Sequence, residues 1–386
     1  MNAMSDMQFM RLALRLAQKG RGATSPNPMV GAVLAKGRKI IGRGWHRHAG
    51  EPHAEIEALH DAEKRGQNPK GATLYVTLEP CCTQGRTPQC TEAIIRAGIK
   101  KVVVGVTDPN PKHSGRGFKI LKAAGIRVIS GILADECARL NESFNHWIVR
   151  RTPFVTVKAA MTLDGKIATA AGESKWITGE KARTAGMKLR ESTDAILVGV
   201  NTVLADNPRL TVRGEMENGR AKVVKPVRRI VLDSMARTPL NAKIVNDKFA
   251  ALTTLVVGKD APKNRVAALA GSVNVLIAPT EKSKIANRKE KIDLYWLLKK
   301  LGADNVTSLL VEGGGEVNAS FLLSGLAQRV LFFYAPKILG GRDSHKAVAG
   351  DGVNRLNQAI QLCDVEWKNV GGDLLMTALV APARDR

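Results

Sequence analysis

The sequence HAE at positions 53–55, followed by Pro80-Cys81 and then by Cys90, decides the interpretation of this 386-residue chain. One imidazole and two thiols are ligands that suit Zn²⁺, and three protein ligands leave a fourth coordination position for water. An open position of this kind is typical of a catalytic zinc site. Glu55 lies two residues after the histidine, where a carboxylate can carry a proton to and from that water.

The order of these residues favours a metal site over separate structural roles. Taken singly, His53 could cap a helix and each cysteine could be a small buried residue. Zinc deaminases that act on nucleobases, however, carry the pattern H-x-E…P-C-x-x-C. The chain follows that pattern except that eight residues separate Cys81 from Cys90. Cys82 is an alternative to Cys81 as the ligand, although the Pro-Cys pair favours Cys81.

The net charge of +24, from 59 basic and 35 acidic residues, raises the question of nucleic-acid binding. Residues 1–150 hold 23 basic and 12 acidic side chains, and the remainder hold 36 and 23, so both halves are basic and neither forms a dedicated basic arm. Aromatic residues make up only 4% of the chain, which is few for stacking on single strands. We therefore expect an anionic small-molecule substrate and no nucleic-acid partner.

Neither a membrane segment nor a secretion signal is evident in the sequence. No apolar run approaches the roughly 18 residues of a membrane span, and residues 1–11 lack an apolar signal core. We therefore expect a cytoplasmic protein with no membrane partner. Five cysteines in a chain of this length do not make a disulfide framework, and Cys137 and Cys363 are expected to be small buried residues.

Strands alternate with helices along both halves of the chain, which predicts an α/β layer architecture. The segment RRTP at 150–153 interrupts this alternation, and a new strand is predicted to follow it. We therefore predict two domains, comprising residues 1–150 and 151–386.

Hydrophobic spacing predicts individual elements within these domains. Residues 7–19 and 135–147 are each expected to form one helix. Residues 213–225 are polar, charged and contain glycine, so we expect an exposed loop there. Residues 365–368 and 374–379 are expected to form an antiparallel pair of strands.

Four segments of the first half closely resemble the deaminase half of the bifunctional riboflavin-biosynthesis deaminase/reductase family: SPNPMVGAV at 25–33, HAE at 53–55, TLEPCCTQGRTPQC at 77–90 and TDPNP at 107–111. In that family the second cysteine comes late, after a loop of glycine, a basic residue, threonine and proline. The resemblance implies a cytidine-deaminase-like α/β/α domain with one Zn²⁺. It also implies the following roles: zinc ligands His53, Cys81 and Cys90, proton carrier Glu55, phosphate contact Arg86 and base contact Asn27. Family members often have Ser-His after the first cysteine, where this chain has Cys82-Thr83.

A glycine-rich turn in the second half is a candidate phosphate site. EGGG at 312–315 follows a predicted strand and opens a predicted helix, where backbone N–H groups can approach a phosphate, although glycines also serve tight turns. Arg190 and Arg213 would suit a sugar phosphate, because guanidinium groups bind phosphate oxygens in a bidentate manner; a solvated surface role is the alternative. Trp176 could equally belong to the core, and Asp206 could cap a helix or turn.

Further segments of the second half resemble the reductase half of the same family, whose fold is similar to dihydrofolate reductase. They are KAAMTLDGKIA at 158–168, GESKWITG at 172–179, residues 194–213 and the EGGG turn. The resemblance implies NADPH bound near Ala160, Trp176, Thr202, Asp206, Ser234, Gly314, Gly315, Glu316, Val317, Asn318, Ala319 and Ser320. The positions it implies for the substrate are Lys158, Ser174, Arg190, Leu210, Arg213 and Glu312.

The sequence thus predicts a homo-oligomeric enzyme with two consecutive activities. The first half is expected to deaminate 2,5-diamino-6-(5-phosphoribosylamino)pyrimidin-4(3H)-one with zinc-activated water. The second is expected to reduce the ribosyl group of 5-amino-6-(5-phosphoribosylamino)uracil to ribityl with NADPH, with Lys158 and Asp206 as the first polar residues to test. Two alternatives are a deaminase that edits nucleic acids and a zinc- and nucleotide-binding regulatory protein without activity, although the intact Glu55 argues against the latter.

Overall fold

A computed structural model describes residues 5–84, 88–217, 220–281 and 291–382 of the chain. The chain divides into two compact units, Met1–Arg151 and Thr152–Arg386. Among the described residues, no helix combines the length and the apolar character that a membrane crossing needs.

The first unit is a five-stranded sheet with helices on both faces. Its strands are β1 (Gly31–Lys36), β2 (Lys39–Trp45), β3 (Thr73–Leu78), β4 (Lys101–Val106) and β5 (Arg127–Ser130). Its helices are α1 (Asp6–Ala17), α2 (Ala54–Lys64), α3 (Cys90–Arg96), α4 (Arg116–Ala123), α5 (Ala134–Leu140) and α6 (Glu142–Arg150). The strand order is β2-β1-β3-β4-β5, and β1 is antiparallel to both of its neighbours, while β3, β4 and β5 are parallel.

Side chains of β1 alternate between the two faces of this sheet, as a strand period of two requires. Ala32 and Leu34 pack in the cluster that contains residues of α2, α3 and α4, whereas Val33 and Ala35 pack in the cluster that contains residues of α1 and α5. Because both faces are covered, the buried strands are nearly continuously apolar. The predicted α/β class is confirmed for this unit.

The second unit is built on a nine-stranded mixed sheet. Its principal strands are β6 (Phe154–Thr162), β8 (Ala195–Gly199), β11 (Arg228–Leu232), β12 (Thr253–Gly258), β13 (Asn274–Ala278), β16 (Ser308–Val311), β17 (Arg329–Ala335), β19 (Leu362–Val370) and β20 (Asp373–Val380). Shorter pairs lie outside this sheet: β7 (Lys166–Ala168) with β18 (His345–Lys346), β9 (Val212–Glu217) with β10 (Arg220–Lys225), and β14 (Thr280–Glu281) with β15 (Lys291–Ile292). The helices are α7 (Glu180–Glu191), α8 (Val200–Asp206), α9 (Lys243–Asn246), α10 (Lys263–Ala270), α11 (Leu294–Ala303) and α12 (Gly315–Leu323).

The nine strands follow the order β13-β12-β11-β8-β16-β6-β17-β20-β19. The first seven run parallel, and β20 and β19 complete the sheet in antiparallel pairing, which confirms the strand pair expected near the end of the chain. Alternate residues of β8 enter the two large cores of this unit, Leu197 with α11 and α12 on one face, and Val198 with α8, α9 and α10 on the other. The α/β prediction is therefore confirmed here too.

Three local predictions are wrong. Residues 213–225 contain most of the antiparallel pair β9 and β10 instead of a loop, because strand pairing satisfies the backbone of a segment whose side chains are polar. The helix expected over 135–147 is broken at Asn141, whose side chain exchanges two 2.8 Å hydrogen bonds with the backbone of Met29. Cys137 is buried as expected, but Cys363 is exposed because it lies on β19, at the edge of the sheet.

Candidate active sites

Three elements of the first unit bring His53, Cys81 and Cys90 together. His53 is the N-cap of α2, Cys81 follows the end of β3, and Cys90 is the first residue of α3. The ligand atoms of the three residues lie within 4.8 Å of one another. Residues far apart in sequence thus meet where a strand end faces two helix N-termini.

The spacing of these atoms fits a tetrahedral metal site. His53 Nδ1 lies 3.5 Å from Cys81 Sγ and 3.3 Å from Cys90 Sγ. Zinc bonds of about 2.0 Å to nitrogen and about 2.3 Å to sulfur, meeting at a tetrahedral angle, place those atoms about 3.5 Å apart. The donor set and its geometry therefore suit Zn²⁺ without rearrangement of the backbone.

The hydrogen bonds of the triad favour thiolate formation at Cys81. The pKa of Cys81 is lowered to about 4 because Cys90 and His53 donate hydrogen bonds to its sulfur, which outweighs the effect of burial. The backbone N–H of Cys90, free at the start of α3, also points to Cys81 Sγ at 3.4 Å. The pKa of Cys90 is raised, first because its thiol donates to Cys81. The lowered pKa therefore favours the thiolate of Cys81, which is the form of cysteine that binds metals.

Glu55 lies in the first turn of α2, and only 3% of its surface is exposed. Burial raises the pKa of Glu55 to about 7, and its carboxylate is in hydrogen-bond contact with Cys90. A carboxylate with a pKa near neutrality can both accept and release a proton under physiological conditions. Glu55 thus combines closeness to the ligand set with the acidity that proton transfer requires.

His46 and Asn27 form a polar wall beside the triad. The Asn27 amide lies 3.1 Å from His46 Nε2, and His46 Nδ1 lies 3.1 Å from the carbonyl oxygen of Pro52. The rings of His46 and His53 meet edge to face, with centroids 5.2 Å apart. Burial lowers the pKa of His46, so the ring is neutral and can donate to Pro52 while it accepts from Asn27. The sequence analysis did not identify His46, because a lone histidine after a strand belongs to no recognisable motif.

Glu79 is a second residue that the sequence analysis did not single out. Its carboxylate accepts hydrogen bonds from the backbone N–H groups of Asp108 at 3.2 Å and of Gly115 and Gly117 at 2.9 Å each. The side chain is buried and lies two residues before Cys81. Glu79 therefore ties the strand end that carries the cysteine to the segment that follows β4.

The remaining predictions for the loop between the two cysteines have different outcomes. Cys82 Sγ lies 3.5 Å from His113 Nδ1 and is not part of the triad, so the structure places Cys81 and not Cys82 beside His53. Arg86 lies outside the described residues.

The second unit contains a cavity of about 270 Å³ that is lined by β6, by α8 and by the segment after β16. Its lining includes these expected cofactor and substrate residues: Lys158, Ala160, Ser174, Trp176, Thr202, Asp206, Glu312 and Gly314. The cavity is also lined by Arg183, which the sequence analysis missed; its guanidinium lies 4.7 Å from the Trp176 ring centre and donates to the Thr178 carbonyl at 2.9 Å. Trp176 is 63% exposed, so the alternative that it belongs to the core is wrong.

Other expected residues are not brought to this cavity by the described part of the chain. Ser234 and Leu210 are absent from its described lining, and the side chain of Arg213 lies outside the described residues. In α12, the Asn318 amide donates to the Ala347 carbonyl at 2.8 Å and the Ser320 hydroxyl to the Glu316 carbonyl at 2.8 Å. These two side chains therefore hydrogen-bond to the protein itself. Gly314, at the start of α12, lines the cavity.

The start of α12 offers a cradle for a phosphate group. Gly314 is its N-cap, and a Cβ atom there would meet open space. A side chain at Gly315 would instead collide with the carbonyl oxygen of Lys346. Free N–H groups at a helix N-terminus bind phosphate well, so the glycines fit a dinucleotide at this place.

Glu312 forms a buried ion pair with Arg190. Arg190 Nε donates to Glu312 Oε1 at 3.0 Å and a terminal nitrogen donates to Oε2 at 2.5 Å. Burial by itself raises the pKa of Glu312, but the charges of Arg190 and Lys158 outweigh it and bring the pKa to about 2. Arg190 is therefore not a solvated surface residue; its charge is held by Glu312 at the edge of the cavity.

We expect Glu312→Gln to lower the free energy of unfolding by about 3 kcal/mol at pH 7, because the change leaves Arg190 buried without its anion. The folded pKa of about 2 lies below the ordinary value of 4.5, so the carboxylate stabilises the fold above about pH 4.5 and loses this effect as the pH falls toward 2. The deficit of the variant should therefore shrink in acid. Urea midpoints at pH 7 and about pH 3 measure it, with exposed Asp260→Asn as the control. An equal deficit at both pH values would contradict the account.

Comparisons with known proteins agree with these two sites. Residues 4–106 match the cytidine and deoxycytidylate deaminase zinc-binding region, and residues 153–376 match the RibD C-terminal domain. The riboflavin biosynthesis protein RibD of Actinobacillus pleuropneumoniae is 43% identical over 378 residues, which cover 98% of this chain and 96% of that protein.

Two solved structures are similar over nearly the full length. RibD of Acinetobacter baumannii is 35% identical, with a TM-score of 0.84 and coverage of 98% of this chain and 99% of that one. A diaminohydroxyphosphoribosylaminopyrimidine deaminase/5-amino-6-(5-phosphoribosylamino)uracil reductase of Thermotoga maritima is also 35% identical, with a TM-score of 0.79 and coverage of 97% and 99%.

The fold and the two sites define a zinc-dependent deaminase joined to an NADPH-dependent reductase. The chain belongs to the RibD family of riboflavin biosynthesis proteins. It is a bifunctional deaminase and reductase of riboflavin biosynthesis, which confirms the resemblance noted in the sequence. This assignment displaces the alternatives of a nucleic-acid-editing deaminase and of an inactive regulatory protein.

Proposed function

We propose that the unit Met1–Arg151 deaminates 2,5-diamino-6-(5-phosphoribosylamino)pyrimidin-4(3H)-one, and that Thr152–Arg386 reduces the ribosyl group of 5-amino-6-(5-phosphoribosylamino)uracil with NADPH. The observation that carries the proposal is the His53, Cys81 and Cys90 triad with the buried Glu55 beside it. The names printed for the Thermotoga maritima relative describe the same two reactions in that protein.

In the deamination, zinc when bound supplies activated water for attack on the ring carbon that bears the amino group. Glu55 accepts a proton at its carboxylate and delivers it to the departing ammonia, a task that its pKa of about 7 suits. Asn27 contacts the pyrimidine, and His46 orients the Asn27 amide through their 3.1 Å contact. Arg86 binds the substrate phosphate.

In the reduction, NADPH when bound supplies the hydride that the sugar C1′ receives. The first turn of α12, with Gly314, Gly315, Glu316 and Val317, lies against a cofactor phosphate, which the N–H groups of Gly315 and Glu316 bind, since the Val317 N–H already donates to the Gly314 carbonyl oxygen at 3.0 Å. Asn318, Ala319 and Ser320 follow in the same helix as the next expected cofactor positions, and the side chains of Asn318 and Ser320 hydrogen-bond to the Ala347 and Glu316 carbonyl oxygens. The cofactor also contacts Ala160, Trp176, Thr202, Asp206 and Ser234.

The substrate of the reductase contacts Lys158, Ser174, Arg190, Leu210, Arg213 and Glu312 in this proposal. The charge of Lys158 contributes to the lowered pKa of Glu312, and its ammonium lies 5.9 Å from the Phe333 ring centre, at the wall of the same cavity. Lys158, positioned in this way, is the first candidate to give a proton to the sugar oxygen when the ring opens, and Asp206 is the second.

The order of the two reactions allows the proposal to be tested. With NADPH and the diamino substrate, the intact chain should release ammonia and then oxidise NADPH. A Glu55→Gln variant should oxidise NADPH only when the deaminated product is added, because its second unit is unchanged. Ammonia is measured by a coupled assay and NADPH by its absorbance. Absence of NADPH oxidation in the presence of the deaminated product would overturn the reductase assignment.

We also propose that the protein is a cytoplasmic homo-oligomer. Val365 and Trp367 on the edge strand β19 are 47% and 57% exposed, which provides an apolar surface for a second copy. Both thiols of the zinc triad must stay reduced, as they do in the cytoplasm. Sedimentation of wild type and Trp367→Lys measures the oligomeric state. Thiol titration of protein taken directly from cells measures whether the two cysteines are reduced.

A further inference from the structure

The first unit contains a cavity that lies apart from the metal triad and has no part in the reactions described above. It has a volume of about 360 Å³ and is formed where the edge strand β2 meets α2 and the end of α1. This volume lies within the range of about 300 to 1,000 Å³ that small-molecule pockets occupy. We call it the edge cleft.

The strand side of the edge cleft is basic and contains one aromatic ring. Arg43 and Trp45 are two residues apart on β2 and therefore share one face of the sheet, and Arg47 follows the end of the strand. The guanidinium of Arg47 lies 4.3 Å from the Trp45 ring centre, and the Lys19 ammonium lies 4.6 Å from it. Two cations are therefore concentrated around Trp45 at the opening of the cleft.

The helix side of the edge cleft comes from one stripe of α2 and its end. Glu57, His60, Asp61, Lys64 and Arg65 follow each other at spacings of three, one, three and one, which places them on one face of a helix. Gly42 and Gly44 of β2 allow the helix to lie directly against the strand, since a Cβ at either position would collide with the backbone of α2. Since Gly42 and Gly44 point toward α2, Arg43 and Trp45 point to the other face of β2, and the cleft spans the edge of the sheet between them.

The two carboxylates of the edge cleft are already neutralised. Glu57 pairs with Arg47 at 3.1 Å, and Asp61 pairs with Arg65 at 2.9 Å. Asp61 also accepts the backbone N–H of Arg43 at 2.8 Å.

Three further cations, Lys19, Arg43 and Lys64, also line the cleft. Within the described residues they form no ion pair. The cleft therefore carries three positive charges in excess.

Protection of the sheet edge explains only part of this arrangement. Charged side chains on an edge strand prevent pairing with other chains, and that role suffices for Arg43 alone. It does not explain why Lys19, which follows α1, and Lys64, the last residue of α2, line the same concave space. Like charges repel one another, so their collection around a cavity favours an anionic occupant.

The edge cleft is also distinct in position from the deaminase site. His53 precedes α2, whereas Lys64 is its last residue. A helix rises about 1.5 Å per residue, so the two Cα atoms are separated by about 16 Å along the axis. A substrate bound at the metal triad therefore does not account for Lys64 or Arg65 at the far end of the helix.

We propose that the edge cleft binds a small anion that carries several phosphate charges, such as a nucleoside triphosphate or inorganic triphosphate. Arginine recognises phosphate oxygens in a bidentate manner and lysine acts as a point charge, so Arg43 with Lys19 and Lys64 supplies complementary contacts around one compact ligand. The cavity is large enough for a triphosphate chain, and its three excess positive charges offset most of the negative charge of that ligand. Trp45 also lines the cavity, where its indole can pack against a ring attached to the phosphates.

The test is calorimetric titration of inorganic triphosphate into the zinc-loaded full chain in about 0.15 M salt, with NADPH present to occupy the cofactor site. The triple variant Lys19→Ala, Arg43→Ala, Lys64→Ala should bind at least about tenfold more weakly than wild type, because each lost cation removes a charge-assisted contact. The matched control is Arg96→Ala, Lys119→Ala, Lys122→Ala. It removes the same three charges from exposed positions elsewhere on the unit and should keep the affinity within about twofold.

Each other outcome overturns the proposal. Equal loss in both triple variants would mean that triphosphate responds only to the general basic charge. Unchanged binding in the cleft variant would locate the anion elsewhere. Tighter binding of a short single-stranded RNA than of triphosphate, dependent on the same three residues, would make the site one for a nucleic-acid backbone. Single charge reversal at exposed Lys64 (Lys64→Glu) repeats the test if the triple variant loses its zinc or its helical signal.

Discussion

Replacing Glu55 with glutamine should lower the rate of deamination by about 10³-fold or more, while one zinc per chain remains bound. The magnitude follows from the contribution of a positioned proton carrier, about 10² to 10⁴-fold, in a site where burial leaves no bulk water to replace it. Glutamine has the shape of glutamate but can neither take up nor release the proton. Ammonia release under saturating substrate measures the rate, and metal analysis of the dialysed protein measures the zinc.

The matched control for this change is Glu63→Gln, which removes a carboxylate from the exposed side of the same helix. Its deamination rate should stay within about twofold of wild type, since surface substitutions away from a site have small effects. NADPH oxidation with the deaminated product should be the same in all three proteins. If Glu55→Gln loses zinc together with activity, Glu55 is a metal ligand and its role as proton carrier is wrong.

Cys90→Ala should remove zinc from the first unit and lower deamination by at least about 10³-fold, because two remaining protein ligands do not retain the ion that activates water. Cys90 is fully buried and is the first residue of α3, and its Sγ lies 3.3 Å from His53 Nδ1. Alanine is compatible with the helix, so the backbone of the site should persist. Metal analysis after dialysis and ammonia release are the two measurements.

The neighbouring cysteine provides a control of the same chemistry. Cys82→Ala removes a thiol that contacts His113 and lies outside the triad, so this variant should keep its zinc. Loss of zinc in Cys82→Ala, with retention in a Cys81→Ala variant, would show that the ligand assignment between the adjacent cysteines is reversed.

The sequence predicted that His53, Cys81 and Cys90 lie close together because each stands at a recognisable point of one motif. His53 opens a helix, Cys81 follows a strand, and Cys90 starts the next helix, so three short segments determine the site. His46 escaped notice because its importance depends on tertiary contacts with Asn27 and Pro52, which no local pattern encodes. The break at Asn141 has the same cause, since it depends on hydrogen bonds to Met29, 112 residues away.

The reductase site was less accessible to sequence reasoning. Its cavity collects residues from β6, the loop around Trp176, α7, α8 and the start of α12, and only the glycine-rich turn has a recognisable chemistry by itself. Arg190 has the residue type of a phosphate ligand, yet in the fold its guanidinium pairs with Glu312. The residue type alone cannot show whether an arginine binds a phosphate or a protein carboxylate, because that depends on which anion the fold places next to its guanidinium.

The hydrogen bonds of Glu79 have a consequence for attempts to redesign the substrate range of the deaminase. The carboxylate joins the cysteine-bearing end of β3 to backbone groups between Asp108 and Gly117. If the loop between Cys81 and Cys90 were replaced by that of a relative, the segment from Asp108 to Gly117 would still come from this protein. The two segments would then not have evolved together. We expect successful chimeras to exchange the loop, Glu79 and the segment from Asp108 to Gly117 together.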